Sequence, residues 1–183
     1  STSYPGTTRE EICDKLKSKF NIGKEIFISF SSERINPGMN ERKIETIPKV
    51  ISGYSKYCLE VARLFYNNLF KNVVLAKSLE EAEFSKLLEN IYRSVNIGFI
   101  NEMKFIADKF GLDIFEILSL ANTKPYGFTR FDPGPGVGGH CIPIDPQYLY
   151  WKSLNKGFRP KFIKLSAEIN LEVTKFIFKK ILG

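Results

Sequence analysis

Residues 80–110 read EEAEFSKLLENIYRSVNIGFINEMKFIADKF, and this stretch decides the fold. Phe84, Leu88, Ile91, Val95, Phe99, Met103 and Ile106 recur at the spacing that keeps side chains on one face of a helix. The spacing predicts a single long helix running to Phe110, with Gly111 as its stop. Upstream and downstream of this helix the sequence has different characters.

Upstream, Thr8-Arg9-Glu10-Glu11 reads as a capping box that opens a helix to about Phe20. Residues 25–31 and 46–53 read as strands, 55–70 as a helix that turns Leu59, Ala62, Leu64, Phe65 and Leu69 inward, and 72–76 as a further strand. Strands alternating with helices imply a parallel sheet covered by helices. Downstream, Asp113 caps a shorter helix through Leu120. Asp145-Pro146 opens another to about Asn155, with the aspartate as an ordinary N-cap and the proline at the first helical position. Pro160 opens the last helix, with Phe162, Leu165, Ile169, Val173, Phe176 and Ile181 along its stripe. The fold class is therefore α/β followed by all-α, with the change near residues 76–80.

The 183 residues suffice for one ordinary domain or two small ones, and 43% hydrophobic with 26% charged residues is globular composition. A net charge of +7 favours an anionic ligand. Its lysines and arginines are spread along the chain beside glutamates, without a basic block, which argues against nucleic acid as partner. No apolar run approaches bilayer length, so no membrane partner is expected. Cys13, Cys58 and Cys141 are far apart and odd in number, a poor disulfide framework that suits a reducing cytoplasm. Cys13 and Cys58 sit in helical patterns among apolar neighbours and read as core. With His140 as the single histidine and no CxxC pair, no metal site is expected. Ser1-Thr2-Ser3-Tyr4-Pro5-Gly6 begins on a turn motif, and the chain reads as an internal piece of something longer.

Cys141 lies at the end of PGPGVGGHCIPIDP, residues 133–146, a loop of glycines and prolines. Glycine lets backbone N–H groups approach a ligand and proline fixes the path. A thiol held there can attack a carbonyl. Gly134, Gly136 and Gly139 formally satisfy G-x-G-x-x-G, but Pro133, Pro135 and Pro143 rule out the strand–turn–helix that a dinucleotide fingerprint requires. On the long helix Lys86 and Asn90 are four apart and share a face. An ammonium and an amide there form a donor pair able to hold an oxyanion, while a solvated lysine paired with Glu83 or Glu89 explains the same spacing. Residues 31–38, SSERINPG, follow a strand expected to be parallel, at the edge where open sheets bind ligands. Glu33 can serve there as a base and Arg34 as an anion fork, or the two can form a surface ion pair.

Together STSYPGTT, SSERINPG, AEFSKLLENIYRSVNIGFINE and PGPGVGGHCIPIDP resemble the UDP-glucose/GDP-mannose dehydrogenase family in motif, order and separation. The GGHCIPIDP form is most similar to the branch that oxidises UDP-N-acetylhexosamines (UDP-N-acetylglucosamine or UDP-N-acetylmannosamine). The resemblance implies that residues 1–78 are the C-terminal part of a Rossmann-like NAD-binding domain, and that residues 79–183 are the helical central domain through which such enzymes form homodimers. It implies NAD as cofactor, a UDP-sugar as substrate, and a four-electron oxidation of the sugar C6 alcohol to a uronate through Cys141. It assigns oxyanion stabilisation to Lys86, positioning to Asn90, proton traffic to Asp145, and water activation to Glu33 and Thr2. Phe131, Gly134, Gly136, Gly138 and Gly139 would contact the sugar nucleotide, with Arg34 and Arg93 as further binding residues. Two other readings of the residues are a non-catalytic dimerisation and substrate-binding module, and a cysteine hydrolase or acyltransferase. The latter needs a base in reach of the thiol, and His140, adjacent in sequence, is poorly placed for it.

Overall fold

A computed structural model describes residues 2–34, 44–139 and 141–182; Ile35-Asn36-Pro37-Gly38 of the SSERINPG motif and His140 lie outside the described residues. The chain divides into two compact units, Ser1–Leu88 and Glu89–Gly183. The long helix contributes its first turns to one and the rest to the other.

In the first unit a short π-helical stretch, Thr8–Cys13, continues into α1 (Asp14–Leu16). Three strands follow, β1 (Ser29–Ser31), β2 (Lys49–Gly53) and β3 (Val73–Leu75), with α2 (Lys56–Asn67) between the last two. The sheet order is β1-β2-β3. β2 is buried over its first four residues, as befits a central strand covered on both faces. β2 and β3 are parallel, with Val50 opposite Val74, because α2 carries the chain back across the sheet. β1 runs antiparallel to β2, with Phe30 opposite Ser52. The expectation of an all-parallel sheet is thus corrected: between β1 and β2 the described residues hold only the 3₁₀ turn Ile44–Thr46 and no crossover helix. A core of Cys13, Ile28 and Leu79, flanked by Leu16, Ile22, Ile26 and Phe30, closes this unit.

Ser55 caps α2 by accepting from the Cys58 N–H. The buried residues of α2 are Cys58 and Ala62; of the expected stripe Ala62 turns inward, whereas Leu64, Phe65 and Leu69 are exposed. The capping box at Thr8 also fails. No side chain caps that helix start from within; the Thr8 hydroxyl donates instead to Glu83 of the long helix, a full charge and so the stronger acceptor.

The long helix is α3 (Leu79–Lys109), and it ends as expected. Gly111 takes φ +67°, its N–H bonds to Asp108 O, and the Leu112 N–H bonds to Ala107 O, the paired closure that a glycine at this position permits. α4 (Ile114–Ala121) follows, capped by Asp113 accepting from the Phe115 N–H at 2.9 Å. α5 (Cys141–Asn155) and α6 (Lys161–Leu182) complete an all-helical second unit. Ile100, Ala107, Ile114 and Leu118 form its buried core.

The buried face of α3 differs from the apolar stripe. Glu83, Leu87, Asn90, Ser94 and Asn101 are buried, whereas Phe84, Leu88, Phe99 and Ile106 are exposed. The two series are offset by about one residue, roughly 100° of helix rotation. The small face is buried because it lets another helix come close: a Cβ added at Gly98 would lie 3.3 Å from Ser166 Cα of α6. α6 follows its expected stripe at Ile169 and Val173, which are buried, but adds Ile163, Ser166 and Asn170 to that face and leaves Phe162, Leu165 and Ile181 exposed.

Candidate functional site

Residues 122–139 cross from α4 to α5 without regular structure, and α5 begins at Cys141 itself. The expected start at Asp145 is therefore four residues late. Pro143 falls in the first turn, where backbone N–H groups have no partner within the helix, so its missing donor costs nothing. Pro146 lies inside α5 instead of opening it. Asp145 is in consequence not an N-cap. Its side chain is buried and accepts a hydrogen bond from Asn90 Nδ2 at 2.6 Å.

Cys141 is exposed at the start of that helix, whereas Cys13 and Cys58 are fully buried. Burial pushes the Cys13 thiol up to about 11, only partly opposed by Arg9, and marks it as inert core. The glycines ahead of Cys141 differ in what they do. Gly136 has φ +111°, and a Cβ there would lie 2.9 Å from the Asn170 carbonyl oxygen. Gly139 has φ +80°. Gly134 and Gly138 have neither constraint, since a Cβ on either would meet nothing within 4 Å. Their bare backbone faces open space, which is what close approach by a ligand requires.

α3 supplies Lys86, half-buried, and Asn90 one turn further on. Glu83, one of the two partners a solvated lysine could take, is engaged elsewhere: it accepts from the Gly6 N–H at 2.5 Å, the Thr8 N–H at 2.8 Å and the Thr8 hydroxyl at 2.6 Å. Arg93 is exposed on α3. The Phe131 ring packs edge-on against Tyr92 and against the core of the second unit, so it has a structural task besides any contact with a ligand.

Thr2, Glu33 and Arg34 belong to the first unit. Because β1 is antiparallel to β2, its end points toward the start of β2. Glu33 Oε2 lies 3.8 Å from Lys49 Nζ, and Arg34 donates to Pro48 O at 3.2 Å. The two stand at the amino edge of the parallel pair, not at the carboxyl edge where ligand crevices form. That corrects the reason for expecting them at a site. Thr2 is half-buried ahead of the turn that Glu83 holds.

The sequence reading does not mark Ser94, Asn101 and Asn170, and names Glu83 only as a partner for Lys86. Gly134 N–H donates to Asn101 Oδ1 at 3.0 Å, Asn101 Nδ2 donates to Asn170 Oδ1 at 3.1 Å, and Asn170 Nδ2 donates to Ser94 O at 3.1 Å. The signal in the sequence was the run of polar or small residues at 83, 90, 94, 98 and 101, itself at helical spacing.

Residues 80–172 match the model of the central domain of the UDP-glucose/GDP-mannose dehydrogenase family. The chain is 40% identical to protein CapL of Staphylococcus aureus, covering all of this chain and 43% of that protein. It is 38% identical to UDP-N-acetyl-D-glucosamine 6-dehydrogenase of Pseudomonas aeruginosa, over 93% of this chain and 40% of that one. Among solved structures, UDP-D-ManNAc dehydrogenase from Pyrococcus horikoshii superposes with a TM-score of 0.85 at 31% identity, over 96% of this chain and 41% of that one. The chain thus spans about two fifths of the length of these relatives.

Proposed function

This chain belongs to the UDP-glucose/GDP-mannose dehydrogenase family, and on that premise we propose that it carries the sugar-oxidising centre of a UDP-N-acetylhexosamine 6-dehydrogenase. The observation that carries the reading is the exposed Cys141 at the start of α5, behind glycines that face open space, while Asp145 of the same helix is tied to the buried Asn90 of α3. The names of the relatives support a nucleotide-sugar substrate.

In this reading NAD+, held by the domain to which residues 1–78 belong, would supply the hydride acceptor for the two oxidations. Gly53 at the end of β2 serves packing: a Cβ there would lie 2.3 Å from Leu59 N, so glycine is what lets α2 lie this close to the strand. The residues of this chain act on the sugar. Cys141 Sγ adds to C6 of the aldehyde, forming a C–S bond and a thiohemiacetal that retains the reactive intermediate. Lys86 donates to the developing C6 oxyanion, and Asn90 holds the reacting oxygen or water. At the thioester stage water adds to C6, the C–S bond breaks, and the thiolate leaves with the acid as product. Asp145 works with Lys86 in moving protons, and Glu33 and Thr2 orient the attacking water. Gly134, Gly136, Gly138, Gly139 and Phe131 border the sugar nucleotide, and Arg34 and Arg93 supply cationic contacts. The chain acts as a homodimer in the cytoplasm, and the uncovered stripe of Phe84, Leu88, Phe99 and Ile106 on α3 supports a partner helix there. Residues 1–78 serve the NAD-binding domain and 79–183 the central one.

Cys141→Ser in the complete polypeptide tests the mechanism. The variant should bind UDP-N-acetylhexosamine with parent affinity and form no uronate, followed as NADH and by product analysis. Uronate formation at the parent rate would rule out covalent capture.

A further inference from the structure

The loop ahead of Cys141 is held by few contacts. A cavity of about 280 Å³, lined by Gly136, Val137, Pro143, Gln147 and Leu171 among others, lies beside it against α5 and α6. Gly134, Gly138 and Gly139 have open space where a side chain would be. With so little packing, specific polar ties must fix the path of this loop. Three are present. Gly134 N–H donates to Asn101 Oδ1, the Thr174 hydroxyl donates to Pro135 O at 3.2 Å, and Gly136 lies against the Asn170 carbonyl.

Asn101 is 1% exposed and Asn170 4%, so their amide groups meet protein partners in place of water. The direction of the relay is determined. Gly134 can only donate and Ser94 O can only accept, so each asparagine must present its oxygen on one side and its NH₂ on the other. Such a chain fixes rotamers on α3 and α6 and through them the height of the loop. Asn90, from the same face of α3, holds α5 through Asp145. One helix face therefore sets both the loop and the helix that carries Cys141.

We infer that Asn101 and Asn170, with Thr174, are positioning residues that hold the Gly134–Gly136 backbone where it receives the sugar nucleotide, and so set substrate affinity without taking part in the chemistry. This rests on the proposed sugar-nucleotide role of the loop. Asn101→Leu removes both ends of the tie, and Thr174→Val removes one hydroxyl from an exposed position without change of shape.

The complete polypeptide is compared with both variants by deuterium exchange of the 133–139 peptide, by the Kd for UDP-N-acetylhexosamine, and by kcat at saturation. Loss of one or two such hydrogen bonds predicts faster loop exchange and a Kd weaker by about tenfold for Asn101→Leu and about threefold for Thr174→Val, with kcat nearly unchanged. Should Asn101→Leu fail to fold, Thr174→Val decides alone. Parent-like loop exchange and Kd in a folded variant, or a loss confined to kcat, overturns the inference. If the parent binds no UDP-sugar, the functional reading fails, and loop exchange still decides whether these residues position the loop.

Discussion

Replacing Glu83 by glutamine should destabilise the protein more than any exposed substitution on α3. The carboxylate is 3% exposed and accepts three hydrogen bonds, from Gly6 N–H, Thr8 N–H and the Thr8 hydroxyl. Glutamine keeps one acceptor oxygen and turns the other into NH₂. Set toward Thr8, the oxygen retains two bonds, and the NH₂ then confronts the Gly6 N–H, donor against donor. The bond lost is one to a charged acceptor, about 1.5–3 kcal/mol, and the two retained weaken as the charge goes. The expected loss is about 3 kcal/mol, which for a chain of this size lowers the melting midpoint by about 6–12 °C. Thermal unfolding followed by circular dichroism measures it. Thr8→Val removes only the hydroxyl and should cost about 1 kcal/mol. The double variant should show a coupling energy of about 1 kcal/mol or more, since the two side chains share one hydrogen bond. A midpoint within a degree of the parent for Glu83→Gln, or strict additivity in the cycle, would refute the view that this carboxylate pins the 6–8 turn.

Two further substitutions separate glycines that shape the loop from glycines that leave room beside it. Gly136→Ala meets both a positive φ and the Asn170 carbonyl, and should cost about 1–3 kcal/mol in thermal unfolding. Gly134→Ala should melt with the parent and weaken UDP-sugar binding by calorimetry; the opposite pattern would invert the assignment. The Arg9–Glu80 pair predicts a pH dependence. A hydrogen bond from Arg9 holds the Glu80 carboxyl below the usual range, opposed by partial burial. A depressed folded value means that the pair's contribution is present above the unfolded value of about 4.3 and is lost as pH falls through the lower folded one. Both side chains are more than a third exposed, so the effect is about 1 kcal/mol or less. Melting of Glu80→Gln should trail the parent at neutral pH and merge with it in acid; a constant difference would assign the effect to packing.

Local rules proved reliable where the deciding atoms are close in sequence. The extent of α3, its closure at Gly111, the Asp113 cap, and the burial of Cys13 and Cys58 depend on spacing, a glycine or one neighbouring N–H, and all were legible. The start of α5 was not, because a proline is equally comfortable anywhere in a first turn and Pro146 was read as marking it. Nor was the strand direction of β1, since hydrophobic alternation is the same in either sense.

The opening stretch, residues 80–110, shows the division most clearly. Its sequence alone determined a long helix, because hydrophobic periodicity and a terminal glycine are properties of the chain itself. It also placed Lys86 and Asn90 on a common face. Which face turns inward was decided only in three dimensions. Glycine and serine let α3 and α6 approach where bulkier side chains would hold them apart, and Asn90, Asn101 and Glu83 are buried there because donors and acceptors from distant segments meet them. Periodicity measures how apolar a face is; it carries no information on which partner can come close to it or satisfy its polar groups.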